Sequence, residues 1–400
     1  MHYSLTRATL WNLAGYFYLI IASLIATPIL VHSLGLTLFG QYSLILATLG
    51  LVSTLNLGLP QAVVRALSQN KSTKLWATSL ILFVSTGLVA GFVSTLITSY
   101  LNLEAGIIFL VFVISFLNNL HAHYQTLSHS EGHFGYFNAK TFIVGTGNTL
   151  LAAYLAWAGQ GITAILSSQL LCYLFTLLPL TYFSLKFFPR PWTYLPSKSV
   201  AKSLLKFGLK NQVGTLAGQI QSQYAKYLLA TISPLHLSSY VITQGIVQKL
   251  SGGVTQIATA LYPLSVRSNL RPLYYRLQFC LLGISLLGVI AYRIWGLEFL
   301  EWWLSAPELV NTINSLAPLF IWYFGILILT PLASTVLDSR GRPELTSLYA
   351  LITTASEIIL ALILFPRYGL FAPVYSALIA ISLTTPFLLY STERVLKSKL

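Results

Sequence analysis

Residues 8–64 read ATLWNLAGYFYLIIASLIATPILVHSLGLTLFGQYSLILATLGLVSTLNLGLPQAVV, without a single Asp, Glu, Lys or Arg. A bilayer core about 30 Å thick takes roughly 20 apolar residues as a helix, so this window holds two crossings. A second charge-free window, 141–185, holds two more. Working outward, apolar stretches near 9–31, 39–62, 75–101, 105–127, 139–158, 162–185, 208–231, 238–262, 277–295, 312–336, 346–366 and 369–391 predict twelve transmembrane helices. Of the 23 Lys and Arg residues, 19 lie at the ends or in alternate connections. Cytoplasmic connections accumulate Lys and Arg, which converts that alternation into an orientation.

The cationic side carries Arg65, Lys71 and Lys74, then Lys140, then six cations from Lys186 to Lys210. It continues with Arg267, Arg271 and Arg276, with Arg340 and Arg342, and with the tail cations Arg394, Lys397 and Lys399. The opposite side carries Glu104, a neutral turn at Gly159 to Gly161, and a longer connection bearing Glu298, Glu301 and Glu308. Trp295, Trp302 and Trp303 there suit an interfacial aromatic belt. Arg293 and Arg367 are exceptions on that side. The reading is a multi-pass protein of a bacterial inner membrane with both termini cytoplasmic.

Composition agrees. Hydrophobic residues make up 56% of the chain and charged residues 8%, against about 25% charged in soluble domains. The net charge of +14 therefore reports topology and an anionic leaflet, not nucleic acid. Cys172 and Cys280 both fall in apolar spans, so no disulfide framework is expected. The first apolar stretch is too long for a signal-peptide core and reads as helix 1.

One seam stands out: KFFPRPWTYLPSKSVAKSLLK, residues 186–206. Its prolines and charges divide the chain into a lobe at 1–190, a cytoplasmic linker at 191–207, and a lobe at 208–400. Ser199 to Lys206 suits a short basic helix lying on the membrane surface. The halves echo each other: residues 33–42 resemble 231–240, and His129 to His133 resembles Asp338 to Arg342. Two six-helix repeats related about the membrane normal are a transporter arrangement.

A charge at a helix centre costs roughly 2.5–3.5 kcal/mol on insertion scales, so each one needs a reason. Lys249 is central in helix 8 and Glu357 in helix 11. Lys226 is off-centre in helix 7, and Arg65 ends helix 2. One reading lets Lys226 and Arg65 snorkel to the interfaces while Lys249 and Glu357 neutralise each other. The other places the lysines in a wet cleft that attracts an anion. Gln212, Gln219, Gln223 and Lys226 share one helical face. Gln244, Gln248 and Thr255 form a strip on helix 8, with Lys249 and Gln256 beside it. Such amides need protein or water partners in the membrane; interhelical glue is the other way to satisfy them.

The first half offers Asn12, Asn56, Gln61, Asn118, Asn119, His121 and His123. His121 and His123 point to nearly opposite sides of a helix and cannot share a metal. His129 and His133 lack further ligands and read as interfacial. No phosphate-binding loop or hydrolytic motif occurs. A non-enzymatic protein without a cofactor is expected.

Leu34-Gly35, Phe39-Gly40-Gln41-Tyr42-Ser43-Leu44, Leu55-Asn56-Leu57-Gly58-Leu59 with Val64-Arg65, and Gly341-Arg342 resemble the Wzx-type polysaccharide flippases of the multidrug/oligosaccharidyl-lipid/polysaccharide exporter superfamily. The resemblance implies two MATE-like six-helix lobes around a central cleft, working by alternating access. It also implies a lipid-linked oligosaccharide substrate of the undecaprenyl diphosphate type, such as an O-antigen repeat. Membrane lipids and polysaccharide polymerase machinery are the expected partners. Lys249 and Lys226 would counter the diphosphate and Arg65 would assist its approach. Gln219, Gln223, Gln244, Gln248 and Asn12 would contact sugar. Glu357 would couple transport or pair with Lys249. Such proteins often carry an Asp in helix 7 where this chain reads Gln223-Tyr224-Ala225-Lys226, which puts in doubt an ion-coupling role for that helix. A cation or drug antiporter, a major-facilitator transporter and a membrane polysaccharide polymerase or glycosyltransferase are the alternatives. The first would want more acids at depth, and the last a large external loop.

Overall fold

The computed structural model describes residues 5–131, 142–188, 193–267 and 271–397, without the side chains of 5–14, 210–211, 256–257 and 259–267. Asn12, His133, Lys140, Arg190, Gln256 and Lys399 therefore lie, wholly or in their side chains, outside the described residues. The helices are α1 (Leu5–Val52), α2 (Leu59–Gln69), α3 (Thr73–Tyr100), α4 (Ala105–Ser130) and α5 (Phe142–Trp157). They continue with α6 (Ile162–Phe187), α7 (Lys198–Ala230), α8 (Pro234–Arg267), α9 (Arg271–Leu304) and α10 (Pro307–Leu327). The last are α11 (Thr330–Ser339), α12 (Pro343–Tyr368) and α13 (Ala372–Lys397). Twelve crossings result among the described residues, because α1 bends back at Gly35 (φ 72°) and two crossings are each built from two helices. The fold is all-α and multi-pass, as the hydropathy requires.

Helix 2 was expected to be continuous. Instead, the backbone leaves the helix at 53–58, with Leu57 and Gly58 at positive φ, and resumes as α2 through Pro60 in its first turn. Asn56 holds this break: its amide donates to the Ser53 carbonyl at 3.0 Å, and its Oδ1 accepts from the Gly58 N–H at 3.0 Å. The Thr54 carbonyl, freed from the helical ladder, accepts from Gln212 Nε2 of α7. The break between α10 and α11 is treated alike, with Gln278 Nε2 donating to the Leu329 carbonyl at 2.9 Å. Unpaired carbonyls at membrane depth cost several kcal/mol, so each break recruits an amide.

Two other expectations change. The basic stretch Ser199 to Lys206 is the first part of α7, not a separate surface helix. Glu298, Glu301, Trp302 and Trp303 lie on α9, so the connection beyond it shrinks to Ser305 and Ala306. Helices run past the hydrocarbon boundary, where charges no longer cost anything.

The chain divides into two compact units, Met1–Gln219 and Ile220–Leu400, and the division falls inside α7. In the first unit, α3 and α4 approach closely because Gly87 and Gly91 leave room for Phe116 and Phe112. Trp76, Phe83, Leu127 and Phe188 form its core. His121 and His123 are fully buried and face opposite ways: His123 bonds Ser79 Oγ at 3.0 Å and stacks on Trp76, while His121 donates to the Tyr173 carbonyl at 2.8 Å. In the second unit, Val254, Tyr274, Leu281, Ile328 and Leu332 pack together. Near its end, Arg271 and Lys397 pair with Glu393 at 2.6 and 3.2 Å. The Tyr275 hydroxyl, then the Lys397 and Arg271 charges, hold the Glu393 carboxyl below its usual range. A depressed carboxylate stabilises above its unfolded pKa and loses that contribution as pH falls through the folded one. Glu393 is only half-buried, so solvent screening keeps the effect small.

Candidate functional site

In the second unit, α7 reverses through Thr231 to Ser233 into α8, and the two run antiparallel. Gln244 Nε2 donates to the Ser222 carbonyl at 3.2 Å, which fixes the level at which they pass. With a rise of 1.5 Å per residue, the Lys226 and Lys249 backbones stand about 13 Å apart along the axes, on opposite sides of that level. Their side chains undo this separation. Lys226 Nζ donates to Gln223 Oε1 at 2.7 Å. Lys249 Nζ folds back to Gly245, 3.7 Å from where a Cβ would stand. Helical side chains lean toward their own N-terminus, and in an antiparallel pair that brings both stems toward the same level. Both ammonium groups are thereby drawn toward that level.

Glu357 on α12 meets the same level. It is 2% exposed, and its carboxylate accepts from Gln221 Nε2 at 2.6 Å and from the Tyr224 hydroxyl at 3.1 Å. Gln221 and Tyr224 are one turn apart on α7, so one helical face serves both oxygens. Tyr240 and Tyr323 complete its surroundings. The Lys249–Glu357 ion pair, one of the two readings left open by the sequence, does not occur among the ion pairs of the described residues. Neutral donors hold the acid instead.

The amides separate into two kinds. Gln244 is buried and bonded to Ser222 and Tyr240, so it joins helices and is not presented to a sugar. Gln212, which shared the same predicted face as Gln219, is likewise committed to Thr54. Gln223 holds Lys226 through Oε1 and Ser222 through Nε2. Gln219 is half-buried in the first unit, and Gln248 is exposed on α8. The Asn12 side chain is outside the described residues.

Arg65 does not end its helix, since α2 continues to Gln69. Its guanidinium lies 4.6 Å above the Phe207 ring. Together with Gln69, Ser203 and Lys206 it lines a cavity of 330 Å³ between α2 and α7 within the first unit. Two cations, an amide and a hydroxyl around a small hollow suit an anionic headgroup. Gln69, Ser203 and Gln221 escaped the sequence reading, and Lys206 and Tyr224 entered it without a role in a site. The cluster at Lys206 was legible only as part of a basic seam.

The described residues contain no group of His, Cys, Asp and Glu able to hold a metal. The family of polysaccharide biosynthesis proteins matches residues 5–269. No curated protein matches the chain. Among solved structures, an outward-facing multidrug resistance MATE transporter of the MOP superfamily is 15% identical, with a TM-score of 0.68 over 99% of this chain and 96% of that one. A mutant of the Vibrio cholerae MATE transporter VcmN is 13% identical, with a TM-score of 0.66 over 99% and 97%. A MOP superfamily transporter from Pyrococcus furiosus, whose binding pocket has reverse polarity, is 15% identical, with a TM-score of 0.65 over 98% and 96%. With two thirds of its length inside the match, the chain belongs to the polysaccharide biosynthesis protein family, and its fold is like that of the MATE transporters.

Proposed function

We propose that the protein is a flippase. It carries a polyprenyl-diphosphate-linked oligosaccharide from the cytoplasmic to the outer leaflet of a bacterial inner membrane and delivers repeats to polymerase machinery. What supports this reading is the pair of lysines on α7 and α8, whose side chains both reach toward the level at which those helices pass. A diphosphate leaving water needs cations and hydrogen-bond donors, and a polyprenyl tail can remain in lipid. The Arg65–Lys206 cavity is suited to gather the same headgroup as it approaches. Charge alternation supports cytoplasmic termini. In this scheme the headgroup must prefer one conformation over the other, or binding drives nothing.

Losing one charge-assisted bond costs about 1.5–3 kcal/mol, so Lys249→Gln should cut export of polysaccharide roughly ten- to a hundredfold with normal membrane insertion. Surface glycan at wild-type levels would remove Lys249 from the site. A cation or drug antiporter is the second reading, favoured by the buried carboxylate of Glu357. Gene deletion followed by lipid extraction separates the two. Polyprenyl-linked repeats trapped on the inner face support flipping; intact surface glycan with altered drug tolerance supports the antiporter.

A further inference from the structure

Arg293 is one of two cations that break the charge alternation, and transport gives it no task. It stands 17 residues beyond Arg276 on α9, which is about 26 Å along the helix and close to one hydrocarbon thickness. Arg293 therefore reaches the membrane face opposite Arg271 and Arg276. There it borders a groove of 840 Å³ between α9 and α10, lined by Leu282, Leu286, Ile321 and Trp322 among others, with Arg293 and Glu298 also on its wall. Leu286 is 62% exposed and Trp322 71%, so the groove opens outward at the depth of the acyl chains. Small residues hollow it: a Cβ on Gly325 would stand 3.6 Å from Ser285 Oγ. Tyr292 and Asn314, also on the wall, bond each other at 2.8 Å and leave the charges as the features that select a headgroup.

Neither charge has an ion-pair partner among the described residues. Five residues apart on α9, they are offset by about 7.5 Å, with Glu298 farther from the membrane centre. From the bilayer outward the order is therefore apolar trough, cation, anion. A phospholipid bearing a primary ammonium beyond its phosphate presents the complementary order of acyl chain, anion, cation. A diphosphate headgroup meets one arginine and is repelled by the carboxylate, and a glycerol headgroup leaves Glu298 without a counter-charge.

We propose that this groove is a specific site for an ethanolamine phospholipid, with its phosphate on Arg293, its ammonium on Glu298 and an acyl chain along the α9–α10 trough. The site does not depend on what the protein transports. Full-length protein would be purified and native mass spectrometry used to compare retention of phosphatidylethanolamine, phosphatidylglycerol and phosphatidylcholine. Phosphatidylethanolamine should be retained about tenfold better than phosphatidylglycerol, and better than phosphatidylcholine, whose quaternary ammonium has no N–H to donate to Glu298. Glu298→Gln should erase that preference while lipid remains bound, and Arg293→Gln should lower retention of phosphatidylethanolamine at least fivefold. Gly325→Leu, which fills the trough and leaves both charges intact, should reduce retention of every lipid. A preference for phosphatidylglycerol, displacement by a polyprenyl diphosphate at equal concentration, or a preference unchanged in Glu298→Gln would each overturn the proposal. Both rim residues are exposed, so these variants should fold, and a wild-type melting profile checks it.

Discussion

Exchange of Glu357 for glutamine is expected to abolish export, by more than about a hundredfold, while the protein accumulates and melts at least as well as wild type. An ionised carboxylate at mid-membrane costs roughly 2.5–3.5 kcal/mol on insertion scales, and glutamine of the same shape does not carry that cost. The Tyr224 hydroxyl can still donate to the new amide oxygen, and the Gln221 amide can turn its own oxygen toward the new NH₂ group. Stability and activity should therefore move in opposite directions, as they do when a site is kept strained for function. A structural acid predicts the reverse, with export preserved and stability reduced. Glu357→Ala is the harsher control. It strands the Gln221 and Tyr224 donors, each at a cost of about 1–3 kcal/mol, and should lower the melting temperature as well. Surface glycan and thermal unfolding in detergent, measured on both variants, separate the two roles.

Gly58→Ala should keep the protein from accumulating. Gly58 holds a φ of 68°, and a Cβ there would overlap the backbone carbonyl of Gly208 on α7. A left-handed non-glycine residue costs about 1–3 kcal/mol, and forcing atoms into a filled contact typically adds about 1–3 kcal/mol. Gly208→Ala tests the steric part alone, because Gly208 is helical and its Cβ would meet the Leu57 carbonyl. It should be milder than Gly58→Ala but still harmful. Gly218→Ala, farther along α7 and with no atom within 4 Å of its Cβ, should be neutral or gain about 0.5–1 kcal/mol from helix propensity. Equal behaviour of all three in membrane yield and thermal melting would refute the close glycine contact.

The number of crossings was legible in the primary structure because hydrocarbon penalises charge so heavily that its absence marks each span. The ends were not, because past the headgroups a helix carrying Glu298 and Glu301 is as acceptable as a loop. The same limit hid the start of α7 at Lys198. The lysines and Glu357 announced themselves by their cost, yet cost does not name partners. Gln221 and Tyr224 lie 136 and 133 residues from Glu357, and neither spacing nor periodicity links them. Gln244 and Gln212 show a different limit. An amide in an apolar span looks alike whether it lines water or bridges two helices, and only the placement of Ser222 and Thr54 decides.

The glutamines that serve Thr54 and Leu329 have a mechanical corollary. Bending an intact rod sacrifices several ladder bonds together, whereas these elbows have already given theirs up. Swinging the segment beyond either elbow exchanges a glutamine bond worth about 0.5–1.5 kcal/mol net, along with close packing such as that of Gly58 on Gly208. In the proposed transport cycle these elbows are the pivots, places where one amide lets go and takes hold again.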